Sequence, residues 1–177
     1  MNKSDPFAIF GHDDLNDGAE DTSAPTLNGL FDTAIAARAF IRGGKATVTL
    51  VSKKTNARFT YRVVAARDKD TGELSPDGTL FVGLLRGADN TADYSYVGRI
   101  SRDVFWPGRK YPKPHDVGPN APSMLAFKWA WGQLAHGVMP EMLEVWHEGA
   151  CGRCGRKLTV PSSIASGFGP ECIKHVG

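Results

Sequence analysis

The chain has 177 residues, 41% hydrophobic and 23% charged, with a formal net charge of +2, which suits one packed domain with room for a small appendage. Its apolar stretches, around Leu80–Leu85 and Met124–Trp131, are too short to cross a bilayer, so no membrane partner is expected. No basic segment followed by an apolar run opens the chain, so no signal peptide is expected and a cytoplasmic, reducing location is, where three cysteines serve as thiolates.

Residues 1–25 carry six carboxylates against Lys3 alone, a net charge of −5, and leave the remainder at +7. Asp, Asn, Gly, Ser and Pro recur there without a period, which predicts an acidic disordered tail over residues 1–25. From Asn28, a capping residue, helical spacing of Phe31, Ala34, Ile35 and Arg38 predicts a helix to about Ile41, stopped by Gly43 and Gly44. Strict alternation predicts strands at Lys45–Ser52 and Arg58–Ala65, joined by a turn from Lys53 to Ala57. Two further strands are expected at Thr79–Leu85 and Tyr94–Ile100, giving an antiparallel meander of four strands in an α+β domain over residues 26–121. Phe105–Pro122 is rich in Pro, Gly and basic residues and reads as an irregular link. A second helix is expected from Ser123 to His136, with Asn120 or Ser123 as cap and Gly137 as stop, opening a part over residues 122–177. Met124, Phe127, Trp131 and Leu134 form its apolar stripe. A short strand at Met142–His147 leads into the cysteines.

Cys151-Gly152-Arg153-Cys154-Gly155-Arg156 has the form of a metal knuckle, in which two intervening residues let both sulfurs face one ion. Gly152 and Gly155 permit the tight turn, and Arg153, Arg156 and Lys157 offset thiolate charge. Cys172 follows Cys154 by 18 positions, a spacing that closes a small zinc-ribbon or treble-clef-like module. The rival for any CxxC, a redox pair, would leave Cys172 without a role. The expected cofactor is therefore one structural Zn²⁺ held by Cys151, Cys154, Cys172 and a histidine. His175 and His147 both stand at usable spacings, and ligand chemistry alone leans towards His175.

The stretch from Cys151-Gly-Arg-Cys-Gly-Arg-Lys-Leu-Thr-Val-Pro-Ser-Ser to Ile164, followed by Gly167-Phe-Gly-Pro-Glu-Cys172, resembles a zinc-ribbon-like domain of unknown function found in phage and prophage proteins of bacteria. The segments Lys54–Arg62 and Asp93–Gly98 are similar to the upstream part of such proteins. The resemblance implies a bacterial host cell as the location. Because a His-Glu-Gly segment commonly precedes the knuckle in similar proteins, it also implies His147 as the fourth ligand. It implies no activity.

Nine basic residues (Arg38, Arg42, Lys45, Lys53, Lys54, Arg58, Arg62, Arg67, Lys69) face one acid, Asp68, between positions 38 and 69. Arg58 and Arg62 share a strand face with Thr60, and Lys53 and Lys54 crown the turn, a combination suited to phosphate contacts. Phe59 and Tyr61 are expected on the opposite face, packed against the first helix. A second basic run, Arg99, Arg102, Arg109, Lys110 and Lys113, is interleaved with Phe105, Trp106 and Tyr111, where single-stranded bases can stack. Phosphate-binding glycine loops and paired metal-site histidines are missing from the sequence, so no catalysis is expected. The expected function is non-catalytic binding of nucleic acid. The alternative is an inhibitor or adaptor that engages a host protein complex through residues 1–25.

Overall fold

The computed structural model describes residues 29–89, 91–109 and 113–176, so the acidic tail, the expected Asn28 cap and Lys110 lie outside the described residues. The first helix, α1 (Ala34–Arg42), starts later than its periodicity suggests because Thr33 supplies the cap, accepting from the Ala36 N–H at 3.2 Å. Phe31 is buried ahead of the helix, and Ile35 is exposed on it.

β1 (Lys45–Ser52) and β2 (Arg58–Ala65) form the expected hairpin, with Val48 opposite Tyr61 and Thr49 opposite Thr60. Asn56 takes a φ of 58° in its turn, a conformation that asparagine tolerates better than most residues. β3 (Leu80–Leu85) and β4 (Tyr94–Ser101) complete the meander, with a register shift at Val82/Gly83.

Two strands enlarge this sheet beyond the expected four. β5 (Val104–Pro107) pairs with β4 on one edge, and β6 (Leu143–His147) pairs with β1 on the other. The antiparallel order is therefore β5-β4-β3-β2-β1-β6. β5 falls where an irregular link was expected because its turn uses Arg102 and Asp103, both at positive φ, without the glycine that ordinarily marks such a two-residue hairpin. Pro107 is compatible with strand structure there because β5 is an edge.

The second helix, α2 (Pro122–Ala135), begins with proline at its first turn and has no side-chain cap, so neither Asn120 nor Ser123 fills that role. With α1 it covers the face of the sheet carrying Ala46, Val48, Leu50, Tyr61, Val63 and Val82, all at 1% exposure or less. Tyr61 packs on Phe127 of α2, ring centroids 4.8 Å apart, and its hydroxyl donates to Ser123 O at 2.7 Å. The partner of this aromatic is thus the second helix rather than the first.

Arg38 and Arg42, four apart on one side of α1, both pair with Asp103 in the β4–β5 turn. The Trp131 indole donates to Asp103 O at 2.9 Å, so both helices are tied to that turn. Burial pushes the Asp103 carboxyl upward, but its bonds to Arg38 and Arg42 prevail and hold it below the usual range. Because the folded-state value is the lower one, this stabilisation is present above the ordinary aspartate value, about 3.9, and lost as pH falls through the folded value. Asp103→Asn, which tolerates the same φ, is expected to cost about 1 kcal/mol at neutral pH. Urea midpoints of parent and variant should converge as the pH is lowered from neutral into that window; a gap that persists at low pH would refute the assignment.

Candidate metal centre

After β6 the chain makes a tight hairpin closed by the Ala150–Lys157 bridge. The Cys151 N–H donates to Arg156 O at 2.8 Å, and the Gly155 N–H to Cys151 O at 2.8 Å, with Gly155 at a φ of 76°. This is the turn the two knuckle glycines were expected to allow. Gly152 lies against the Phe40 ring, where any Cβ would stand 2.7 Å from a ring carbon, so it also lets the knuckle seat on α1.

Two short helices follow. α3 (Pro161–Ser166) ends at Gly167, left-handed at φ 76°, and α4 (Pro170–Ile173) carries Cys172. The fold thereby brings the Sγ atoms of Cys151, Cys154 and Cys172 within 4.8 Å of one another. Cys151 is buried, Cys172 half-buried and Cys154 exposed.

The donor set fits a soft divalent ion. Burial raises the Cys151 thiol, but main-chain N–H groups of Cys154, Gly169 and Arg153 outweigh it and bring the pKa to about 7. Burial raises Cys172, and the neighbouring Cys154 and Cys151 raise it further through hydrogen bonds and negative charge. Three thiolates this close repel one another, and a cation among them removes that repulsion.

The expected fourth ligand is not in the cluster. His147 sits on the helix-covered face of β6, between Phe31 and Phe40, with ring centroids 5.1 Å from each. Its Nε2 donates to Ile164 O at 2.7 Å, and its Nδ1 accepts from the Gly149 N–H at 3.1 Å. Both nitrogens are thus committed to main-chain partners, and burial lowers the ring's pKa against the opposing pull of the Ile164 bond. His147 instead fastens α3 to the sheet. His175 is exposed at the end of α4 and is likewise outside the sulfur cluster.

The candidate phosphate-contacting residues among the described ones lie on different elements. Lys53, Lys54 and Arg58 are exposed at the hairpin end. Arg62 is half-buried, its guanidinium 3.9 Å from the Tyr94 ring centroid and donating to Thr91 O at 2.7 Å. Arg109 lies beyond β5, 3.8 Å from Asp116. The nine-to-one basic excess is also partly spent within the fold, since Arg38 and Arg42 hold Asp103 and Arg67 donates to Gly72 O.

Sequence reasoning singled out Trp106, on a stretch expected to be irregular, but missed Phe81 and Tyr96, which share the helix-free face of the sheet with it. Lys45, Val64, Phe81, Arg99 and Trp106 stand opposite one another in a row across five strands. Tyr96 faces Gly83 beside that row and meets the Phe81 ring edge-on at 6.3 Å. The register shift at Val82/Gly83 puts Tyr96 and Arg99 on the same face although they are three apart, which simple alternation in β4 hides.

Among the described residues no helix is long and apolar enough to cross a membrane. No curated protein and no solved structure matches the chain. Residues 143–177, which run from β6 through the three cysteines, match a family of unknown function (DUF6011), so the likeness lies in the cysteine-bearing segment and the strand before it.

Proposed function

We propose that the protein binds single-stranded nucleic acid without catalysis on the helix-free face of its sheet, while one structural zinc holds the C-terminal module as a rigid bracket. The observation that carries the binding reading is the cross-strand row of Lys45, Phe81, Arg99 and Trp106, with Tyr96 and Arg62 beside it. Trp106 is 52% exposed and Phe81 43%, an unusual outlay of aromatic surface for residues that only fill a sheet. Aromatic rings between cations suit single strands, because bases stack on the rings and phosphates meet the cations. The sulfur-rich donor set favours zinc over hard cations. The phage-type setting draws support from the resemblance of Cys151–Cys172 to phage and prophage domains.

Fluorescence anisotropy with labelled single- and double-stranded oligonucleotides at two salt concentrations tests the reading. The single strand should bind more tightly. Trp106→Ala should weaken it about tenfold, the equivalent of one lost stacking contact. Arg99→Ala should lower the salt slope by about 0.7 for the phosphate contact removed, across all sequences. An absence of binding at low salt would put the protein-partner reading in its place.

A further inference from the structure

The three sulfurs line a single cavity of about 250 Å³, shared with Arg156, Lys157, Leu158, Thr159, Ser163 and Glu171 among others. Zinc and cobalt at such sites are four-coordinate, and three protein ligands leave one position open. Among the described residues no histidine or carboxylate joins the sulfur cluster, and His147 is turned away by its bonds to Ile164 and Gly149. Glu171, the acid on the cavity wall, is engaged by the Lys174 ammonium at 2.9 and 3.0 Å. The volume far exceeds the roughly 30 Å³ share of one water.

From these observations we propose that the metal's fourth position opens into this cavity and takes a small exchangeable donor from solution, a thiolate or an imidazole, in place of water. Leu158 and Val160 give the incoming group an apolar wall, and Arg156 and Lys157 supply positive charge beside a centre that three thiolates leave net negative. A thiol ligand binds as the thiolate, its proton passing to solvent as the bound water leaves; imidazole binds neutral through nitrogen. The inference rests on the metal reading and changes its meaning, since a site with an open position binds ligands where a closed one only braces the fold.

Cobalt loaded into the full chain reports the coordination directly. Addition of 2-mercaptoethanol or imidazole should shift the visible bands of the cobalt protein along a saturable curve. X-ray absorption of the zinc form should give three sulfurs and one lighter donor. His175→Ala should keep the thiolate-to-cobalt absorption and the ligand response. Bands indifferent to both additives, a spectrum altered by His175→Ala before any ligand is added, or a metal-dependent dimer that ignores both would overturn the open position while leaving the metal site standing. Failure to bind cobalt or zinc at all would instead remove the site itself.

Discussion

Cys151→Ser should abolish tight metal binding and strip the C-terminal module of its order. Cys151 is fully buried, it receives three main-chain N–H groups, and it stands where the knuckle meets α1. Little else holds the segment together, since α3 and α4 have six and four residues and the module's buried apolar contribution is confined to Leu158 and Phe168 beside Cys151. In small zinc modules the metal supplies an apparent 10–16 kcal/mol, roughly the whole of their folding free energy. Chelation of the parent should therefore act as the substitution does. Hydrogen exchange should show amides of residues 150–173 losing protection while those of β1–β4 keep theirs. Unchanged protection in 150–173 after complete metal removal would sink the claim.

Phe40→Ala should be the most damaging single change in the apolar core that joins sheet and module, at about 3–5 kcal/mol. The ring is 1% exposed and meets Phe31, His147 and Phe168 at centroid distances of 5.1, 5.1 and 5.9 Å. Gly152 and Gly167 both press on it too closely to admit a Cβ without displacement, so neither segment can easily collapse into the vacated space. The variant should unfold at lower urea and also bind zinc more weakly, because the knuckle loses the surface on which it rests. Phe59→Ala, at a half-buried position, should cost distinctly less. Equal midpoints for the two alanine variants would show that Phe40 is not the joint.

These contrasts mark what local pattern reveals. The β1–β2 hairpin was legible almost to the residue because alternation there has period two and one face is buried. The three cysteines were legible because the knuckle is a local motif whose chemistry needs its spacing. The fourth ligand was not. The fate of His147 is decided by a carbonyl 17 positions away in α3, which no spacing rule encodes. Nor could the basic run show which of its charges are paired, since Arg38 and Arg42 meet their acid in a turn more than 60 positions further on. β5 escaped notice through an unmarked turn, and the placing of Tyr96 on the same face as Arg99 escaped through a register shift in β4.

The pairing of β6 with β1 has a consequence for how the chain reaches its folded form. β1 and β2 are neighbours in sequence and can zip together early, but the other edge of β1 waits for a strand that follows almost all of the intervening chain. Until β6 docks, the hydrogen-bonding groups along β1 form an open edge on a strand whose inner face is Ala46, Val48 and Leu50, a template for mispairing with another copy. During synthesis that interval lasts until Leu143–His147 have emerged. A chain cut short before Leu143 would carry the exposed edge permanently, and aggregation, rather than mere loss of metal binding, is the defect such a fragment should display.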